Sequence, residues 1–162
     1  MKTKVFLFFF LFISLLSCTN KTDVRFLGKS LKTPCNSFVN HIIKKGFTYR
    51  DGNTYNGTLL GKDVSITLMD SVDGHYKELM LIASFIDSGS EPKQFYISLC
   101  NKIKNDHSGF EVSKSEDGNS YRTEFYGENG SMITVICSSA SYGYESFGSV
   151  VAFFKNELVS VQ

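Results

Sequence analysis

The residue order of this chain repeats itself, and a repeat restricts the fold to arrangements that pack one unit twice. Phe47, after Gly46, matches Phe110, after Gly109; Asp51-Gly52-Asn53-Thr54-Tyr55 matches Asp117-Gly118-Asn119-Ser120-Tyr121; Gly61 matches Gly127. Val64, Ile66 and Leu68 match Ile133, Val135 and Cys137, Gly74 matches Gly143, and Leu81-Ile82-Ala83 matches Val150-Val151-Ala152. The offset between copies starts at 63, becomes 66 at the Asp-Gly-Asn turn and 69 from Val64 onward. Each step falls in a polar connection, where insertions are tolerated.

Each copy opens with an amphipathic segment. Phe38, Val39, Ile42 and Ile43 form an apolar stripe on a 3.6-residue period. Thr33 or Ser37 offers an N-cap, and Lys44-Lys45-Gly46 supplies cations and a glycine for the end. In the second copy Tyr96, Leu99, Cys100 and Ile103 form the same stripe after Pro92. Strands are expected near 47–50, 54–60, 64–69 and 78–86, then near 110–114, 120–126, 132–138 and 148–155. Val64, Ile66 and Leu68 alternate with Ser65 and Thr67, the period-2 mark of a sheet with one wet face. The last strand of each copy is apolar on both faces, which predicts a central or doubly covered position.

The expected fold class is α+β: a duplicated unit of one helix and a four-stranded antiparallel β-meander, with the helices packed on one face of the sheet. That element order resembles the tandem α-β4 architecture of the β-lactamase-inhibitory protein family and related small envelope lipoproteins. The resemblance spans the mature chain and rests on topology, so no inhibitory residue is carried over. It implies a curved sheet with helices on one face, and a free face to which a protein can bind.

Lys2 and Lys4 precede an apolar run, Val5 to Leu16, broken only by Ser14. A cationic start, a short apolar core and a small residue before the cut make a secretory signal. The run is shorter than the roughly 20 residues a membrane-spanning helix needs. Leu15-Leu16-Ser17-Cys18 resembles the bacterial lipobox, which implies cleavage after residue 17 and diacylation of Cys18, with palmitate among the chains. Two or three acyl chains anchor durably, whereas one holds only marginally. Thr19, in place of an aspartate that would retain the protein at the inner membrane, points to the outer membrane, periplasmic or surface leaflet. The expected organisation is therefore a signal peptide (1–17), a tether (18–30) and one α+β domain (31–162) of two repeats, about 33–90 and 91–158.

Loss of Lys2 and Lys4 leaves 15 of the 17 Lys plus Arg against 16 Asp plus Glu. Balanced charge without a basic block argues against a nucleic-acid partner. With Cys18 acylated, Cys35, Cys100 and Cys137 allow at most one internal bridge, and three separate small buried hydrophobes is the preferred alternative. No cysteine or histidine spacing suggests a metal, and no cofactor is expected.

Catalytic signatures are absent: no GxSxG elbow, no HExxH and no phosphate-binding glycine loop. His41 beside the first apolar stripe is expected to be structural, and His107 to act as a cation near a helix C-terminus. Asp70, Asp73 and His75 could form a metal or acid-base cluster, although turns favour Asp and Gly for backbone reasons alone. The better candidate is a recognition loop, Tyr142-Gly143-Tyr144-Glu145-Ser146-Phe147, in which Tyr142, Tyr144 and Phe147 offer amphipathic contact area, the other reading being that these aromatics fold back to cover a sheet edge. The sequence thus predicts a membrane-anchored binding, inhibitory or accessory lipoprotein rather than an enzyme, with a protein or envelope component as partner. The alternative is an extracytoplasmic hydrolase with an unrecognised site.

Overall fold

The computed structural model describes residues 23–86, 89–142 and 145–156; the Leu15–Cys18 motif and Tyr144 lie outside them. A small hairpin, β1 (Arg25–Phe26) and β2 (Lys29–Ser30), leads to α1 (Cys35–Lys44). Four strands follow: β3 (Thr48–Asp51), β4 (Thr54–Leu59), β5 (Lys62–Val72) and β6 (His75–Ile86). The order then recurs with α2 (Glu91–Asp106), β7 (Glu111–Asp117), β8 (Ser120–Tyr126), β9 (Met132–Tyr142) and β10 (Glu145–Lys155). The last eight strands form one sheet in the order β3-β4-β5-β6-β10-β9-β8-β7, every neighbouring pair antiparallel. The class is α+β, as expected.

The two strands that are apolar on both faces, β6 and β10, pair with each other at the sheet centre. Side-chain alternation sends one set of residues toward the helices. Tyr55, Ile66, Leu81, Ala152, Val135 and Thr123 stand opposite one another in a single row across six strands, and all are buried. A parallel row runs through Leu68, Leu79, Phe154, Ile133 and Phe125, also buried. Phe38 and Ile42 of α1 join this core, with Phe95, Tyr96, Leu99, Cys100 and Ile103 of α2. Burying a side chain of this size contributes about 1.5–3 kcal/mol.

Helix α2 lies very close to the sheet. A Cβ placed on Gly148 would stand 2.8 Å from Pro92 Cβ and nearer still to Cγ, so only glycine fits beneath the first turn of α2. Gly57 makes room for the Phe47 ring in the same way, at 2.7 Å.

Several local expectations are revised. Helix α1 starts at Cys35 after Pro34, with no side-chain cap, so neither Thr33 nor Ser37 caps it. The Cys35 N–H instead donates to the Gly74 carbonyl, and Pro34 bridges to His75, tying the helix to the β5–β6 turn. Asp73 and Gly74 both have positive φ, as a tight two-residue hairpin requires. The chain expected to be tether through residue 30 is already packed from Val24 onward. Val24, Phe26 and Leu31 are buried, and the Phe26 ring meets Phe47 and Phe154 edge-on. The apolar Val-Phe-Leu spacing suffices to dock this segment once a core exists to receive it.

Candidate functional site

The outward alternates of the same strands carry no helix over them among the described residues. From one end of β6 to the other these are Glu78, Met80, Ile82, Ser84 and Ile86; the antiparallel β10 sets Lys155, Phe153, Val151, Ser149 and Phe147 opposite them. The result is an apolar spine along the two central strands, interrupted by a serine pair. Ile86 is 70% exposed and Phe147 43%, and the four middle apolar residues are half-buried. Ile136 on β9 widens the spine, lying opposite Val151.

Polar side chains flank it. On β8 the Arg122 guanidinium donates to Glu124, and the Tyr126 hydroxyl donates to the other Glu124 oxygen at 2.6 Å. The Tyr126 hydroxyl and then Arg122 hold the Glu124 carboxyl below the usual carboxylate range. On the other flank Thr54 and Thr67 hydroxyls pair at 3.2 Å, and the Ser65 hydroxyl donates to Asn56. Ser84, Ser149, Ser138 and Ser120 form a hydroxyl row across four strands. Two hollows open on this face. One, about 660 Å³, lies over Thr48, Arg50, Asn56, Ser65 and Ile82. The other, about 300 Å³, lies among Arg122, Met132, Ile136, Phe153 and Lys155. Thr134 lines the second, with a buried hydroxyl that has no hydrogen-bond partner among the described residues.

The described residues of the expected recognition loop, Tyr142 with Glu145, Ser146 and Phe147, belong to strands. Pairing of β9 with β10 continues to Tyr142 opposite Glu145. Phe147 sits within β10, opposite Ile86 and Ala140, and belongs to the outward spine. Tyr144 falls outside the described residues, and Tyr142 ends β9. The sequence signal for the wider face was present in Met80/Ile82 and Val151/Phe153, the outward alternates of the strands read as central.

His41 and His107 are committed to the backbone, whereas the His75 Nδ1 is buried without a hydrogen-bond partner among the described residues. His41 Nε2 donates to the Leu27 carbonyl at 3.0 Å. His107 is buried; its Nδ1–H donates to the Ile103 carbonyl and its Nε2 accepts the Arg25 N–H, each at 3.0 Å. Burial pushes its pKa below the ordinary histidine value. It therefore ends α2 as a neutral donor, not as the expected cation. Burial likewise raises the Cys100 and Cys137 thiols, which lowers their nucleophilicity. Cys35, Cys100 and Cys137 are free thiols, the last two buried. Asp70 and Asp73 take left-handed backbone conformations around the β5–β6 turn. Among the described residues no group of three or more His, Cys, Asp or Glu could hold a metal, and no helix is long and apolar enough to cross a membrane.

No protein-family model matches the chain, and neither a curated protein nor a solved structure matches it.

Proposed function

We propose that this is an envelope lipoprotein, anchored through acylated Cys18, whose open sheet face binds a protein partner in an inhibitory or accessory role. The observation that carries the binding reading is the uncovered spine of Met80, Ile82, Ile86, Phe147, Val151 and Phe153. A contiguous apolar patch with a polar rim is the ordinary anatomy of a protein interface. The hollows on this face are open and shallow, which suits a protein surface better than a small substrate.

The test compares two faces. Acylated protein carrying Ile86→Ser and Phe147→Ser should keep its melting temperature, since both side chains are exposed. It should lose the partner that wild type retains from detergent-solubilised envelope. Ile97→Ser, on the exposed side of α2, should retain it. Retention by the sheet-face variant, or equal loss from both, overturns the reading. Palmitate incorporation checks the anchor separately: Cys18→Ala should abolish labelling, and equal labelling removes the lipoprotein reading.

We further infer that the two halves arose by duplication. Helix-plus-four-strand order on both sides of one central seam supports this. The residue matches need a local correction. Ile66 lies opposite Leu81, whereas Val135 lies opposite Ala152. Equating Ile66 with Val135 thus equates Leu81 with Ala152, two residues from the Ala83–Ala152 match. A shift of two preserves which face each side chain takes.

A further inference from the structure

We propose that the helical layer, rather than the open sheet face, lies against an anionic phospholipid surface. The inference rests on the lipid-anchor reading and adds an orientation to it. Its first support is charge. Residues 23–46 and 89–110, which supply the N-terminal hairpin and both helices, carry eight Lys plus Arg against three Asp plus Glu. All three acids are ion-paired: Asp23 with Lys32, Glu91 with Lys62, and Asp106 with Lys102. Residues 47–86 and 111–156, which supply the sheet, carry six basic against eleven acidic residues. The helix and hairpin segments thus carry net positive charge and the strand segments net negative charge.

The cations are placed for contact. Lys44, Lys45 and Lys104 are exposed, and Arg25 and Lys29 are half-exposed on the hairpin; Lys93 is exposed too, but its ammonium donates to Tyr121 and is turned toward the sheet. Basic side chains near an anionic leaflet are attracted within about a Debye length, roughly 8–10 Å at physiological salt.

The second support is the short distance between lipid and fold. The chain is fixed from Val24: its N–H donates to Asn156 Oδ1, the Arg25 N–H to His107, and the Leu31 N–H to the Val24 carbonyl. Only residues 19–22 separate Cys18 from Asp23, a reach of at most about 18 Å. The anchored point belongs to the hairpin, and the hairpin is one of the cationic segments. An acyl group on Cys18 therefore holds those lysines at the headgroups and turns the open sheet face away from the bilayer.

The test uses the acylated full-length protein in vesicles, with Cys35→Ser as background. A fluorophore is placed on Asn105→Cys in the helical layer, or on Ser138→Cys on the outward sheet face, both exposed positions. Quenching by nitroxide lipids is read in phosphatidylcholine vesicles and in vesicles containing phosphatidylglycerol. With the anionic lipid, quenching at Asn105→Cys should exceed that at Ser138→Cys by about threefold or more, and salt should collapse the difference. Lys44→Glu with Lys104→Glu should collapse it while the protein remains vesicle-bound. Equal quenching at both sites, stronger quenching at Ser138→Cys, or indifference to lipid charge overturns the orientation. Failure of vesicle attachment or of palmitate labelling would instead strike the anchor itself.

Discussion

Gly148→Ala tests whether α2 is seated as closely on the sheet as its packing against β10 indicates. The added methyl would stand 2.8 Å from Pro92 Cβ and closer to Cγ, against an optimal carbon–carbon separation of about 3.5–4.0 Å. Pro92 is a rigid ring at the start of a 16-residue helix, so relief requires moving the helix rather than one rotamer. Overpacking of this kind costs about 1–3 kcal/mol. Replacing a strand glycine returns about 0.5–1 kcal/mol of backbone entropy. A rigid ring under 3.0 Å away cannot yield, so the cost falls in the upper part of that range and the net is a loss of about 1–2.5 kcal/mol, or roughly 3–10 °C in Tm for a domain of this size. Thermal melts followed by circular dichroism read it directly. Ser149→Ala, one residue along and facing outward, should leave Tm nearly unchanged. Pro92→Ala removes Cγ and Cδ, so the double variant should be more stable than the sum of the single effects, by about 1 kcal/mol. A neutral or stabilising Gly148→Ala, or strict additivity with Pro92→Ala, would refute the close seating.

His107 gives a pH dependence with a definite sign. Its folded pKa lies below the unfolded value of about 6.5, so the unfolded chain binds the extra proton in that window. Its contribution to stability is complete above about pH 6.5 and declines as pH falls toward the depressed folded value. Melting curves at pH 7.5 and 5.5 should show a smaller difference for His107→Gln than for wild type; an equal difference would contradict the neutral, doubly bonded ring. Leu60 occupies a left-handed conformation (φ 52°) at an exposed turn before Gly61. Leu60→Asn should raise stability by about 0.5–1 kcal/mol, because asparagine tolerates that region better; a lower Tm would show that the Leu60 side chain packs. Iodoacetamide should alkylate Cys35 well before Cys100 and Cys137 in the folded protein, and all three together in guanidinium. Fast modification of Cys100 without denaturant would contradict its burial.

The parts of the fold legible in the sequence were those set by periodicity. The stripes Phe38/Ile42 and Tyr96/Leu99/Cys100/Ile103 placed both helices, and two-sided apolarity placed β6 and β10 at the centre. Three features escaped because tertiary contacts decide them. Asp23–Ser30 reads as polar tether until Asn156 and His107, far along the chain, supply acceptors for its amides. His107 reads as a helix-end cation until burial is known. Tyr142–Phe147 reads as a loop because glycine, serine and glutamate dilute its strand character; the extended pairing of β9 with β10 overrides that local preference at Tyr142, Glu145, Ser146 and Phe147. The candidate face was half legible: its apolar residues were visible as strand, while their exposure depends on where the helices settle.

The seam at the middle of the sheet has a consequence for the order in which the protein can be made. Strand β6 is complete long before β10 has been synthesised, yet β10 is its neighbour on one side. Until then a long strand edge, apolar on both faces, stands unpaired. Such edges template association with other chains. Pairings distant in sequence also slow folding. A chain emerging from its N-terminus closes the gap only when β10 inserts between β6 and β9, so one of the two innermost strands is the last of the described strands to arrive.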